Sequence, residues 1–298
     1  MVSIIVPNYN HEPYLRQRLD TIFNQTFIDF EVILLDDCST DNSVAILAEY
    51  SNKPQVSHFI VNKINSGSPF KQWRKGIELS KYDYIWIAES DDYNETTFLE
   101  NLIPYFNINV GIVFSSLTIV EKNKSTLYEA LKIGEHNGKE LLRSKMITGN
   151  LFVNANCVVF NKKFLDNKHL RKIENFTICG DWFLWNQILI KSNVYFVKEP
   201  LSYYRKHQKA TTEDLYNNQT FYKEAIINSK LLINKLGDYY HYNQRAISFY
   251  NRLIKVSEMN QLKKDSLVTL VENTFKTNRI KNILRRFWRK LNPIKELK

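Results

Sequence analysis

Strand-length apolar runs alternate with helix-period segments through the first 110 residues, and this alternation limits the folds open to the chain. VSIIV (2–6), EVILL (31–35), SHFIV (57–61) and DYIWIA (83–88) read as strands. Between them, Tyr14, Leu15, Leu19, Ile22 and Phe23 recur at helical spacing, as do Val44, Leu47 and Ala48 behind a capping Ser39 or Asp41, and a third helix surrounds residues 73–79. Parallel neighbours need a crossover, and a helix usually provides it, so the order predicts an α/β domain on a mostly parallel sheet. A second regularity concerns the polar residues. Asn8-Tyr9-Asn10 follow the first strand, Asp36-Asp37 the second, Asn65-Ser66-Gly67 the third and Glu89-Ser90-Asp91-Asp92 the fourth. Ligands of open α/β sheets bind at the carboxyl ends of the strands, where these groups fall.

Beyond residue 110 the alternation loosens. Residues 110–116 and 156–160 read as strands separated by a polar, Lys-rich stretch; 181–190 reads as a helix and 194–197 as a last strand leading into LSYYRKHQKATT. From about Glu213 the spacing is helical, as in Phe221, Ala225 and Leu232. The expected organisation is a domain over 1–210, with a change of pattern near residue 110. A helical C-terminal region follows at 211–298.

Of 298 residues, 44% are hydrophobic and 24% charged, which fits a folded globular chain. Cys38, Cys157 and Cys179 have neither disulfide-framework nor zinc-site spacing, which fits a reducing cytoplasm. No apolar run is long enough to span a membrane, and residues 1–7 lack the basic and apolar regions of a signal peptide. The net charge of +10 is lopsided: residues 276–298 hold nine Lys or Arg against Glu296, so the rest of the chain carries +2. That distribution argues against nucleic acid and for a local anionic partner. In the same segment Ile280, Ile283, Leu284, Phe287, Trp288 and Leu291 mark one helical face, beside Lys281, Arg285, Arg286, Arg289 and Lys290. This is the pattern of a basic amphipathic helix lying on an anionic membrane surface, the alternative being a helix docked on its own domain or a partner, and the first reading predicts a cytoplasmic protein peripheral on the inner face of the membrane.

Neither a GxGxxG turn nor a GxxxxGK[ST] loop is present, so the usual backbone cradles for dinucleotides and ATP are missing. A carboxylate cluster at a strand end offers another way to hold phosphates. Mg²⁺ or Mn²⁺ takes oxygen ligands and can bridge a diphosphate to the protein.

The stretch SIIVPNYNHEPYLRQRLDTIFNQTFIDFEVILLDDCSTDNS resembles the opening of a family 2 glycosyltransferase with the GT-A fold. The resemblance continues through NSGSPFKQWRKGIELSKYDYIWIAESDD, GDWFLW and YYRKH, over about residues 1–210. It implies a GT-A, Rossmann-like sheet with helices on both faces, with a nucleotide-binding half at 1–110 and an acceptor half at 111–210. It also implies that Pro7, Asn8 and Tyr9 line the base pocket, and that Asp37 accepts from a nucleobase N–H, most simply uracil. Lys71 and Arg74 compete for a basic contact to the base, with Lys71 preferred. Asp91 is expected at the ribose and Asp92 as the direct metal ligand, while Glu89 stands where an aspartate is commoner. Trp73 and Trp185 are expected in the core.

The resemblance further implies that Asp181 is the general base of an inverting transfer, at the start of a helix whose N-terminus favours a carboxylate. YYRKHQK resembles a flexible loop in which Arg205 closes over the pyrophosphate and His207 joins the metal. The expected activity is transfer from a nucleotide-sugar, with UDP as carrier, to a glycan or lipid-linked acceptor in surface polysaccharide synthesis. Alternatives are a sugar-1-phosphate nucleotidylyltransferase, which PNYNHEP does not suit because it lacks a Gly-rich phosphate loop, and a non-catalytic sugar-nucleotide or glycan-binding module.

Overall fold

The computed structural model describes residues 1–122, 124–207 and 217–275. The elements are β1 (Val2–Asn8), α1 (Glu12–Phe23), β2 (Phe30–Asp36), α2 (Ser43–Ser51), β3 (Val56–Val61), α3 (Pro69–Leu79), β4 (Tyr84–Ile87), β5 (Tyr93–Asn94), α4 (Phe98–Leu102), β6 (Val110–Glu121), β7 (Lys124–Tyr128), β8 (Gly134–His136) and α5 (Gly138–Leu141). They continue with β9 (Val158–Asn161), α6 (Asn167–Ile173), α7 (Gly180–Leu189), β10 (Asn193–Arg205), α8 (Gln219–Leu236), α9 (Tyr239–Val256) and α10 (Gln261–Phe275). Contacts divide the chain into two compact units, one holding residues 1–142 and 150–207 and the other 143–149 and 217–275.

The first unit is built on a ten-stranded sheet in the order β3-β2-β1-β4-β9-β6-β10-β5, with β7 beside β6 and β8 beside β10. The pairs β1–β2, β1–β4, β2–β3 and β6–β10 are parallel, and β9 runs antiparallel between β4 and β6. All seven residues of β1 and of β2 are buried, as expected of central strands covered on both faces. Val2, Ile4 and Val6 of β1 pack with Leu15, Leu19 and Ile22 of α1, Ile46 and Leu47 of α2, and Phe98, Leu99 and Leu102 of α4. The other face of β1 carries α3. A Cβ on Gly76 would lie 2.4 Å from Ile5 Cγ2, so only glycine lets this helix come so close to the sheet.

Four details differ from the sequence-based expectations. The polar stretch after residue 116 holds the rest of β6, then β7, β8 and α5, whose short exposed edges give weak periodic signals. The strand expected at 156–160 starts at Val158, because Ala155–Cys157 form a single 3₁₀ turn capped by Asn154. Asn42 holds the N-cap position of α2 without a side-chain hydrogen bond; of the two expected caps, Asp41 Oδ1 accepts the Ser43 amide at 3.0 Å, while Ser39 bonds Asp36 instead. The last strand does not stop at 197 but runs to Arg205 beside β6, so Tyr203, Tyr204 and Arg205 are strand residues and not a flexible loop.

The second unit is helical. In it, Ser229 of α8 donates to the Ile147 carbonyl, and Arg245 of α9 donates to the carbonyls of Arg143, at 2.7 Å, and Ser144. The basic segment 276–298, with its expected amphipathic helix, lies outside the described residues.

Candidate active site

Loops at the carboxyl ends of β1 and β4, with the start of α7, line a cavity of about 550 Å³. Pro7, Tyr9, His11, Trp73, Glu89, Asp91 and Asp181 all contribute to its wall. The chain leaves β1 through Asn10 in the left-handed region (φ 55°), held there by hydrogen bonds with Ser39 and Thr40. That turn delivers His11 to the head of α1.

The side chain of Asn8 is used within the fold. Its Nδ2 donates to Asp36 Oδ2 at 2.8 Å and Ser39 Oγ at 3.2 Å, tying β1 to the loop after β2. The Asp37 carboxylate is likewise engaged by the protein itself. Its Oδ1 accepts from Asn62, Gln72 and the Ser66 amide, and Oδ2 accepts from Ser66 Oγ at 2.7 Å. Four protein donors thus hold this carboxylate at the meeting point of the loops after β2 and β3. Lys71 is exposed and donates to the Ser66 carbonyl at 2.7 Å, while Arg74 is paired with Glu78 and Glu174. Neither of these basic side chains lines the cavity.

The acidic turn after β4 sends its carboxylates in different directions. Glu89 Oε1 accepts from the Trp73 indole at 2.9 Å, and burial together with the charges of Asp91 and Asp92 pushes its pKa up to about 8. Asp91 Oδ2 lies 3.1 Å from His207 Nε2 and 4.0 Å from His11 Nε2. Burial opposes its ionisation, but the His207 hydrogen bond and the two imidazoles outweigh that and hold its pKa below the usual value. His207 responds in the other sense, raised chiefly by the same hydrogen bond. Asp92 turns inward: Oδ1 accepts the Arg205 amide and Oδ2 the Asn154 amide group, each at 2.8 Å, and burial beside Asp91 raises its pKa to about 8.

One ligand atom from each of His11, Asp91 and His207 falls within 4.8 Å of the others, a spacing and donor set that suit a divalent transition metal. The geometry therefore differs from the expectation for Asp92. Asp91 faces the imidazoles, whereas Asp92 braces the end of β10. Arg205 also departs from the expected mobile role. It donates to the Asp91 carbonyl and to Gln17, and its guanidinium lies 5.2 Å from the Tyr14 ring centroid and 4.4 Å from that of Tyr93.

Asp181 occupies the first turn of α7 and accepts from Asn150 Nδ2 at 2.7 Å. Gly180 before it lies against Phe70, which packs on Trp73 with ring centroids 5.2 Å apart. Trp73, Trp182 and Trp185 are buried in the core, and Trp73 also reaches the cavity wall.

Sequence reasoning missed His11 and Arg18. His11 was visible as a histidine next to the NYN turn, but only the return of β10 shows what it faces. Arg18 is fully buried in α1. Its signal was a cation placed among Leu15, Leu19 and Ile22 on the apolar stripe.

The sequence profile described as "Glycosyl transferase family 2" matches residues 3–170. The chain belongs to glycosyltransferase family 2. The resemblance in its opening residues is thereby borne out, and the chain is a family 2 glycosyltransferase enzyme. The profile spans the acidic turn but ends before Asp181, Arg205 and His207, whose places rest on geometry.

Among curated relatives, this family 2 chain is 25% identical over 209 residues to the poly(ribitol-phosphate) beta-N-acetylglucosaminyltransferase TarP of Staphylococcus aureus. That match covers 68% of this chain and 62% of TarP. The crystal structure of S. aureus TarS 1-349 in complex with UDP-GlcNAc superposes with a TM-score of 0.68 at 19% identity, over 92% of this chain and 80% of that one. A mannosyltransferase from Pyrobaculum calidifontis, in complex with GDP-Man and Mn²⁺, gives 0.50 at 12% identity over 99% and 88%. The fold is thus GT-A-like, a mostly parallel sheet with helices and the added α8–α10, in line with the expectation. No helix among the described residues is long and apolar enough to cross a membrane.

Proposed function

We propose that this chain transfers a sugar from a UDP-sugar to a hydroxyl of a glycan or lipid-linked acceptor in surface polymer synthesis, by a single inverting displacement that depends on Mn²⁺ or Mg²⁺. The observation that carries the reading is the shared cavity: Asp181 and the acidic turn line the same space, next to Pro7 and Tyr9. The UDP-GlcNAc complex of TarS and the polymer acceptor in the name of TarP support the donor and acceptor classes.

The cavity wall includes the carboxylates Glu89, Asp91 and Asp181 and, among the described residues, no Lys or Arg. Asp91 and Asp181 would repel a sugar diphosphate there without an added cation, while burial keeps Glu89 largely protonated. His11, Asp91 and His207 would hold a divalent ion, which when bound neutralises charge on the diphosphate. The Mn²⁺ in the mannosyltransferase complex supports this choice. Asp181, oriented by Asn150, takes the proton of the acceptor hydroxyl as that oxygen attacks the anomeric carbon and the diphosphate leaves. Pro7 and Tyr9 bind the nucleoside end. Asn8 and Asp37 shape that end through the loops they tie together. Arg205, stacked between Tyr14 and Tyr93, fixes the end of β10 and so presents His207. We also assign residues 276–298, from their sequence, to an anionic membrane surface. Loss of vesicle co-sedimentation on truncation after Phe275 tests that assignment.

A thermal-shift panel of UDP, GDP and their sugar conjugates, with and without Mn²⁺, tests the donor. Stabilisation by UDP compounds that requires Mn²⁺ is expected, since a ligand selective for the folded state raises its melting temperature. Asp181→Asn should keep that shift and lose turnover. Full turnover in Asp181→Asn rules out its role as base.

A further inference from the structure

Building on that function, we propose that Arg18 is the resident counter-charge of the acidic turn and the positioning residue that holds the turn in shape before metal or nucleotide arrives. Its side chain is fully buried between Leu15, Leu19 and Ile22 of α1. A guanidinium in such a place is tolerated only if its N–H groups and its charge are both satisfied.

The N–H groups go to three separate segments around the acidic turn. Nε donates to the Glu89 carbonyl at 2.9 Å, where the acidic turn begins. Nη1 donates to Asn94 Oδ1 at 2.8 Å, where the turn passes into β5. Nη2 donates to Asn156 Oδ1 in the 3₁₀ turn that precedes β9. These acceptors are themselves linked. Asn94 Nδ2 donates to the Asn156 carbonyl and to Ser202 Oγ of β10, and Asn156 Nδ2 donates to the Tyr93 carbonyl. Residues 89–94 are therefore gripped at both ends by one planar cation, a role suited to the rigid fork of arginine.

All three direct acceptors are neutral oxygens. The positive charge is not spent in a contact ion pair, and it acts through the buried medium on Asp92, Asp91 and Glu89. Burial lowers the Arg18 pKa to about 10, with those carboxylates opposing, and the group stays charged at neutral pH. The negative corner thus has its own cation behind it, while Asp91 is left to face His11 and His207 in front.

The full chain is compared as wild type, Arg18→Lys, Arg18→Met, Asp92→Asn and Arg18→Met with Asp92→Asn. Mn²⁺ affinity is titrated by EPR in the presence of UDP, and melting is recorded without ligand. Affinity should fall in the order wild type, Lys, Met, with Arg18→Met weaker by about 10–100-fold, as when other groups that orient metal ligands are removed. At pH 9, above the Asp92 pKa of about 8, the Asp92→Asn change should raise the melting temperature of Arg18→Met, because it removes a carboxylate left without its cation; a purely packing role would make the losses of the two single variants add. If Arg18→Met alone does not fold, Arg18→Lys gives the affinity, and folding restored in the double variant shows the coupling. Wild-type affinity in a folded Arg18 variant, or strictly additive melting losses, overturns the proposal. If the wild type itself fails to bind Mn²⁺ with UDP, the donor reading fails, and the melting coupling alone judges the counter-charge.

Discussion

Gly180 precedes the proposed base, and replacing it by alanine perturbs the site through one identifiable contact. The new methyl would lie 2.7 Å from Phe70 Cγ and 2.8 Å from Cδ1 and Cδ2. Comfortable carbon–carbon contact begins at about 3.5 Å, so the ring or the helix must give by roughly 0.8 Å. Phe70 is itself 4% exposed and set edge-on against Trp73, which leaves it little room to retreat. Overpacking of this kind costs about 1–3 kcal/mol, against at most ~1 kcal/mol gained from the better helix propensity of alanine, and less than that at a helix end. The balance is a net loss of about 1–2 kcal/mol, or a melting temperature lower by several degrees at roughly 2–4 °C per kcal/mol.

The effect on turnover should exceed the effect on stability. The displaced element carries Asp181, and a misplacement of about 1 Å at a reacting group can cost ~10²-fold in rate. Calorimetry and steady-state kinetics on Gly180→Ala should show a modest drop in melting temperature and a fall in kcat of about tenfold or more. Gly180→Ala should cost less stability in a Phe70→Ala background than in the wild type, because Phe70→Ala removes all three ring carbons in the clash. Unchanged melting and unchanged kcat in Gly180→Ala would refute the claim that this glycine is there for space.

Three further outcomes follow from the acidic turn. Glu89→Gln keeps an acceptor for the Trp73 indole but removes a carboxyl whose pKa rises from 4.5 to about 8 on folding. Such a group favours the folded state below pH 4.5 and loses that contribution as pH rises through 8, so the metal-free wild type should lose stability from pH 5 to 8 more steeply than Glu89→Gln, by up to about 1.4 kcal/mol per pH unit. Equal slopes in pH-dependent melting would contradict this. Trp73→Phe takes away the 2.9 Å donor to Glu89 and should destabilise by about 1–3 kcal/mol, measured by denaturant titration; a neutral result would show the bond to be dispensable. His207→Ala removes one of the three grouped side chains proposed to hold the metal and should weaken Mn²⁺ binding by at least about tenfold in EPR titration, whereas an unchanged titration would exclude it as a ligand.

The sheet was legible where its strands are buried on both faces, because β1, β2 and β4 appear as continuous apolar runs and the helices between them keep their period. It was not legible at β7 and β8, which are short, exposed and paired only across the completed sheet. The acidic turn was legible as a cluster, but the direction of each carboxylate was not. Neighbouring residues of a turn point apart, and which of Asp91 and Asp92 faces inward depends on Asn154 and the Arg205 amide, 62 and 113 positions further along the chain. The length of β10 was hidden by Pro200, which interrupts the strand pattern. The structure accommodates it at register shifts between Val197 and Ser202, after which the strand resumes.

Adjacent acids at a strand end invite the conclusion that a metal must be present to make them tolerable, but in this fold the tolerance and the metal have separate sources. Arg18 lies behind the turn, the Arg205 amide and Asn154 satisfy Asp92, and the Trp73 indole satisfies an oxygen of Glu89. Asp91, with two imidazoles for neighbours, remains the group disposed to share its oxygen with an ion. A metal that enters such a site is not needed to hold the turn together, unlike the ions of zinc fingers, whose binding is what folds the chain. Under the proposed function, its binding energy would be free to act on the donor diphosphate, and ion and nucleotide would enter and leave without unmaking the corner that binds them.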